Sequence, residues 1–394
     1  MSKILKALLF AVLLIPAVLA QGGSKIVITG ERMTGKEDDT QKIRGFGGDV
    51  VITHLNVRIT CDSAVHFVDR NEAELIGSVV ITQDTLTIKT DRGFYNGNQK
   101  RAWASTPVEL DDKKVFLKAE SGEYLFDSTK ARFVKNVRLY DATGTMTSKE
   151  LIYFRNSQVA YAFGGVKLWD ESSSLDADSL VHYRATKVTN AYRNVKIVDS
   201  TNVVLCDSVI YDQTNRVTDA WGNVQIKNFE ENTLILGDHV NDLRAIKHTR
   251  IEGEPFIMQI DTVDGAADTL LVRALLLESI GAGDTSKLIA HDSVTILRGG
   301  FASRNSYTEY TRDPETIFTY KKEEDAGPPV LWYDNSQLSG DTVTLHIKQK
   351  KADKVFINNN SLIISKNGPF RFDQVSGTNV VMNGALHTPH CTDS

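Results

Sequence analysis

VAYAFGGVKLWDESSSLDADSLVHYRATK (159–187) and, with no gap, VTNAYRNVKIVDSTNVVLCDSVIYDQTNR (188–216) are consecutive 29-residue stretches that align position for position. Working outward from them, the same register runs six times without an insertion. Fixed-period self-similarity of this kind is the signature of a repeat architecture. Val79, Val108, Val137, Val166, Val195 and Val224 stand 29 apart, and two positions after each come Ile81, Leu110, Leu139, Leu168, Ile197 and Ile226. A third apolar column reads Ile59, Ile88, Leu117, Met146, Leu175 and Val204.

Other columns are polar or small. Cys61, Thr90, Ala119, Ser148, Ala177 and Cys206 are followed by Asp62, Asp91, Glu120, Lys149, Asp178 and Asp207, and then by rings at His66, Tyr95, Tyr124, Tyr153, His182 and Tyr211. Ala73, Ala102, Ala131 and Ala160 hold one register position before Thr189 and Thr218 take it over. At Asp238 and Pro255 the frame slips by two, so a seventh, looser copy ends the array.

Period-two alternation with β-branched and aromatic enrichment specifies strands. Polar turns fall twice in each copy, for example at RNSQ (155–158) and ESSS (171–174), which predicts two antiparallel strands per copy. In each strand the alternation changes parity midway, at an Asp-Ser step or at a Gly-Asn type step such as GGVKL (164–168) and GNVQI (222–226). Parity changes beside Gly predict bulges or bends. A bend at one height in every strand folds the sheet into a V-shaped trough with the apolar columns inside. At two strands per copy and ~4.8 Å per strand, six copies make a trough roughly 55–60 Å long.

The first twenty residues, MSKILKALLFAVLLIPAVLA, read as a cleavable secretory signal: Lys3 and Lys6, an apolar run, then a small-residue end at Ala20. No Cys follows that end, so no lipoprotein anchor is expected, and no later run approaches the ~18 apolar residues of a membrane span. The formal charge of −5 argues against nucleic acid as a partner. Three cysteines are too few for a disulfide framework, and Cys61 and Cys206, five copies apart and so separated by about 48 Å, are expected to be small packing residues.

The frames AYAFGGVKLWD (160–170), NAYRNVKIVDS (190–200), TDAWGNVQI (218–226) and ARFVKNVRLYD (131–141), followed by strands such as LCDSVIYD (205–212), resemble the OstA-like family of lipopolysaccharide-transport proteins, which includes LptA and the periplasmic N-terminal domain of LptD. The resemblance covers about residues 45–256 and, more loosely, 286–383, where PPVLWYDNSQLSGDTVTL (328–345) and FDQVSGTNVVMNG (372–384) carry it. It implies an all-β, creased antiparallel β-jellyroll (a β-taco), in the periplasm of a Gram-negative envelope. There it would shield lipid A acyl chains and stack by its edge strands with sister domains, or head to tail with copies of itself, contributing to outer-membrane assembly. This chain departs from the family pattern in that its array is longer than a minimal member and no C-terminal barrel follows.

The domain organisation expected is a signal at 1–20, the repeat domain at 21–260, a connector at 261–287 holding a short helix or a last strand pair, and a second, partial OstA-like β-domain at 288–394. The tail LHTPHCTDS continues no strand pattern. The eighteen residues of the three apolar columns are the expected lipid-groove wall, against the plainer reading that they fill a closed core in a structural spacer. The rings could meet sugar, but in strands they more often pack on each other. The recurring Asp suggests a calcium ladder, yet with one ligand per copy an Asx-type bond to its own backbone is the simpler expectation. His387, His390 and Cys391 lack a fourth ligand for a metal site. No elbow, phosphate loop or paired-acid constellation points to an enzyme, and no cofactor is expected. A parallel β-helix acting on or adhering to carbohydrate is the competing architecture, separable by strand pairing.

Overall fold

The computed structural model describes residues 25–37, 42–142, 144–263, 266–281, 286–325, 327–348, 351–383 and 388–391. The expected signal at 1–20 and His387 lie outside them. Among the described residues there are thirty-one strands and one short 3-10 turn, Val68–Arg70. No helix there is long and apolar enough to cross a membrane.

Every strand pairing is antiparallel and, along the array, mostly between neighbours in sequence. Val159–Trp169 pairs with Ser174–Tyr183, which pairs with Val188–Val198, then Asn202–Asp212 and Val217–Asn228. A parallel β-helix is thereby excluded, because two polar turns per copy return the chain beside itself rather than around a coil.

Each long strand is broken at mid-height by a register shift. On one strand of each pair the shift falls on two consecutive residues in the left-handed region: Gly77 and Ser78, Lys135 and Asn136, Gly164 and Gly165, Arg193 and Asn194, Gly222 and Asn223. Two residues without partners bend the strand but, being two, leave its inside-outside parity unchanged: Ala160 and Ala162 before the insert and Val166 after it all face in, contrary to the parity change expected at the Gly-type steps. The change falls on the facing strand, where the single skipped Asp178 turns the inside set from Leu175 and Ala177 to Leu180. Since the inserts lie at one height, the sheet creases along its length into two walls. We call the part before the insert wall one (Val159–Phe163, for example) and the part after it wall two (Val166–Trp169).

The recurring acid holds this crease, though not through its own backbone as expected. Its carboxylate reaches sixteen residues on, to the insert of the next strand: Asn194 Nδ2 donates to Asp178 (3.1 Å), Asn223 Nδ2 to Asp207 (3.0 Å), and Asn136 Nδ2 to Glu120. At Gly222 (φ 75°) a Cβ would stand 2.3 Å from the Asp207 carboxylate oxygen, so a side chain there would have to displace that of Asp207 as well as adopt a left-handed φ.

Between the walls lies one apolar core running from Ile26 to Ile296. A second cluster, Leu331 to Met382, fills the C-terminal part, and Phe301 packs on both. The stretch expected as a connector with a short helix or a last strand pair contains the strands Ala266–Arg273 and Leu276–Ile280, both paired with Lys287–Arg298, and no helix among its described residues. The tail departs from expectation: Thr388–Cys391 is a strand paired to Phe372–Asn383.

Candidate functional site

The residues of the three apolar columns all face the space between the walls, yet they are not equally covered. The row nearest the crease (Val79, Val108, Val137, Val166, Val195 and Val224) is buried throughout, at no more than 3 % exposure. Ile59, Ile88, Leu117, Met146 and Leu175 are buried as well, whereas Val204 is half-buried. In the row nearest the tip of wall two, Ile81 and Leu110 are buried, but Leu139, Leu168, Ile197 and Ile226 are only partly covered, as is Ile235 after them. Ile257 returns to full burial. The trough is therefore a packed core at its N-terminal end, a lateral apolar window over about 139–235, and a packed core again beyond.

The difference lies at the mouth, where the tips of the walls meet. His54 at the tip of wall two places Nδ1 2.6 Å from the hydroxyl of Tyr95 at the tip of wall one. The same offset of 41 residues joins Asp112 to Tyr153, whose hydroxyl donates across a long 3.5 Å. Arg155 donates to Thr85 Oγ1 (2.7 Å) and Arg184 to the Lys114 carbonyl (3.4 Å), each spanning 70 residues. Gln83 and Tyr124 occupy the intervening position. Gln83 Oε1 and the Tyr124 hydroxyl are buried there without a hydrogen bond, and the edge of Tyr124 packs on Phe126 (4.8 Å). Burial pushes the Tyr124 phenol up, and the neighbouring Arg155 charge counters it.

These rungs weaken and then stop. Asp141 meets Arg184 at 3.8 Å, and burial holds the His182 imidazole below its ordinary pKa even though the Asp141 charge raises it. Asp170, 41 residues before Tyr211, turns back into its own turn: the N–H groups of Ser172 and Ser173 donate to it at 2.7 and 2.8 Å and hold its carboxyl below the usual range. No hydrogen bond joins Asp170 to Tyr211. Asp199 does likewise with Thr201 and Asn202. Asp112 closes its own turn in the same way, accepting from the Val115 N–H at 2.8 Å, and reaches Tyr153 with its other oxygen. Where that second, crossing bond is missing, Leu168, Ile197 and Ile226 are half-uncovered.

The rim opposite that apolar wall is polar. His182 Nδ1 lies 3.0 Å from Thr189 Oγ1, at the position where alanine gives way to threonine, and Thr249 donates to Asp242 in the same relation (2.9 Å). The ring column thus sits at the mouth, buried as Tyr95, Tyr124 and Tyr153 and half-buried as His182 and Tyr211.

Sequence reading missed the partners of these rings. His54, Gln83, Asp112, Asp141, Asp170 and Asp199 form a column of their own at 29-residue spacing. It was masked by the turns in which it sits, and only its constant offset from the rings marks it as more than turn chemistry. Cys61 and Cys206 are free and buried, with the Cys206 thiol pushed up to about 11 by burial. Among the described residues no group of three or more acid, His or Cys side chains is placed to hold a metal ion. The N-terminal core leaves a residual void of about 20 Å³ beside Ile81, Val108 and Phe133, room for about one water.

An all-β chain of two-strand repeats, creased along its length into a partly closed trough, defines a β-jellyroll scaffold. Residues 25–178 match the family described as OstA-like protein. The crystal structure of LptH, the LptA-homologous periplasmic component of the lipopolysaccharide transport device of Pseudomonas aeruginosa, is 16 % identical over 36 % of this chain and 82 % of that one, with a TM-score of 0.19. No curated protein matches the chain.

Proposed function

We propose that the protein is a non-enzymatic periplasmic scaffold that carries the acyl part of an envelope lipid, lipopolysaccharide or a relative, in its trough. The observation that carries this reading is the window: a run of apolar side chains left half-covered between two lengths of packed core. Six strands from Leu168 to Ile235 give it about 24 Å along the trough axis, more than the ~15 Å of one bilayer leaflet. Each acyl CH₂ laid against Leu168, Ile197 and Ile226 contributes roughly 0.8 kcal/mol, so affinity needs no polar hot spot. The hydroxyl and imidazole groups of Tyr211, His182 and Thr189 would face the polar end of the lipid. Stacking onto sister OstA-like domains or onto further copies through the terminal edge strands belongs to the same proposal.

Photo-crosslinking tests it. Benzoylphenylalanine at Leu168, Ile197 or Ile226 is expected to yield lipid adducts in a Gram-negative host, while the same residue at Lys187 in a turn yields none. Inert window positions in an exported, folded protein would leave the closed-core spacer, which the tight packing from Ile26 to Phe133 favours.

A further inference from the structure

The outer face of wall two carries a second surface, unrelated to the apolar columns. Reading across the strands at one height, cross-strand partners run Lys89, Glu109, Lys118, Arg138, Thr147, Lys167, Asp176 and Lys196. Five cations face two carboxylates in a chain whose formal net charge is −5. Lys118 and Arg138 stand directly opposite each other, an arrangement that destabilises a sheet unless something compensates it.

Wall one shows that this excess is not general. There three guanidinium groups are matched, with Arg92 on Glu74, Arg101 on Glu123 (2.6 Å) and Arg132 on Glu150 (2.7 Å). On wall two, Lys118 meets Glu109 (2.5 Å) and Lys167 lies 3.8 Å from Asp176, while Lys89, Arg138 and Lys196 are exposed with no carboxylate partner among the described residues.

One alternate position closer to the tip, on the same face, stand Phe116, Tyr140 and Trp169. Phe116 and Tyr140 are 4.9 Å apart and Lys118 lies over the Phe116 ring at 5.4 Å. Tyr140 is 36 % exposed and, further along, Leu205 38 %. Lys118, Arg138, Tyr140 and Trp169 line a hollow of about 1150 Å³. Of the acids at its rim, Asp141 is near Arg184 and Asp170 is taken up by its turn, leaving Glu171.

A row of cations backed by Trp, Tyr and Phe is the pattern of a protein surface that rests on anionic lipid, the charges on the phosphates and the rings at the head-group level. We propose that the outer face of wall two docks on an anionic phospholipid bilayer. The chain's net negative charge does not oppose this, because charges beyond a Debye length of ~8 Å are screened while the row lies at the surface itself. Leu139 and Leu168, on the inner face of the same strand tips, then bring the lip of the window to the membrane. The docking face stands on its own observations and does not depend on what the trough holds.

Co-sedimentation of the full mature chain with vesicles tests it. Binding is expected to vesicles containing phosphatidylglycerol and not to pure phosphatidylcholine, and to weaken as salt rises. The triple change Lys89→Glu, Arg138→Glu, Lys196→Glu is expected to weaken it about 100-fold or more. The milder Gln triple serves if that one folds poorly. Reversing Lys187, Arg216 and Lys247, in the turns of wall one, is expected to leave it unchanged. Equal binding to both vesicle types, or no effect of either wall-two triple, would overturn the proposal. So would loss of binding on Ile197→Asp alone, which would trace the association to the trough.

Discussion

The imidazole of His54 and the phenol of Tyr95, forty-one residues apart, are held 2.6 Å from each other at the tips of opposite walls, and both side chains are buried. The pair closes the trough at its N-terminal end, with the ring of Tyr95 edge-on to Phe126 at 5.9 Å as further packing. Tyr95→Phe keeps the packing and removes the hydroxyl. A loss of about 1–2 kcal/mol is expected in urea unfolding, the usual consequence of deleting one partner of a buried hydrogen bond. A loss below a few tenths would show that the rung is ornamental and that ring packing alone shuts the mouth.

The crease offers a test of opposite sign. Arg193 holds φ at 62° ahead of Asn194 at 51°, whereas the equivalent position in the previous copy is Gly164. An L-residue in that region carries roughly 1–2 kcal/mol of strain, so Arg193→Gly is expected to stabilise by up to about 1 kcal/mol after the entropy of glycine is counted. Gly222→Ala, where the new Cβ meets Asp207, is expected to destabilise by about 2 kcal/mol or more. Denaturant midpoints moving the other way would mean that the inserts are not the fixed bend described above.

The closed and open lengths of the trough should respond differently to the loss of apolar volume. Leu75 is fully buried in the N-terminal part, and Leu75→Ala is expected to cost about 2–5 kcal/mol. Ile197, half-covered in the window, is expected to cost less than about 2 kcal/mol when cut to Ala, since part of its surface is already hydrated. Calorimetry of the two variants compares them, and equal losses would argue that the window is shut in solution.

His182 gives the window a pH dependence. Burial lowers its pKa below the unfolded value, with Asp141 opposing and Arg184 assisting. As pH falls through the unfolded value of ~6.5, the unfolded chain takes up the proton first, so stability declines with falling pH. His66 acts in the same direction, burial being the larger cause and Arg44 the smaller. His239 acts oppositely: burial lowers its pKa, but hydrogen bonds to Asp219 and Glu252 raise it further, giving stability at low pH that is lost as pH rises through its folded pKa. Only the difference between the wild-type chain and His182→Asn isolates the first effect. That difference is expected to shrink the acid loss below ~6.5; parallel pH profiles of the two proteins would rule the linkage out.

The period was legible in the chain itself, as was the parity change at the Asp-Ser steps, though not the unchanged parity of the glycine-bearing strands. Val166, Val195 and Val224 at constant spacing, with a turn at every half-copy, specify antiparallel two-strand repeats, because side chains alternate faces in any strand whatever lies opposite. Gly164–Gly165 and Gly222–Asn223 marked the crease for the same local reason: few other residues adopt two left-handed conformations in succession. Arg193–Asn194 and Lys135–Asn136 occupy that conformation without glycine, and only alignment to the glycine copies betrays them. The role of Asp178 and Asp207 was out of reach, since their amide partners sit on a neighbouring strand rather than on their own turn.

Which apolar residues are sealed and which stand open was decided by tertiary structure alone. Leu110 and Leu168 hold the same register position, with the same side chain and like neighbours, so their sequence contexts do not separate them. Near Leu110 the walls are pinned at their tips by contacts spanning 41 and 70 residues, such as Asp112 to Tyr153 and Arg184 to the Lys114 carbonyl. Near Leu168, Asp170 satisfies its carboxylate within three residues and leaves Tyr211 across the mouth unbridged. An Asp can cap its own turn and still cross to the facing wall, as Asp112 does with the Val115 N–H on one oxygen and Tyr153 on the other. The chain specifies the Asp and its turn bond, made at Asp112 and Asp170 alike, but the separation of the walls decides whether the crossing bond is added.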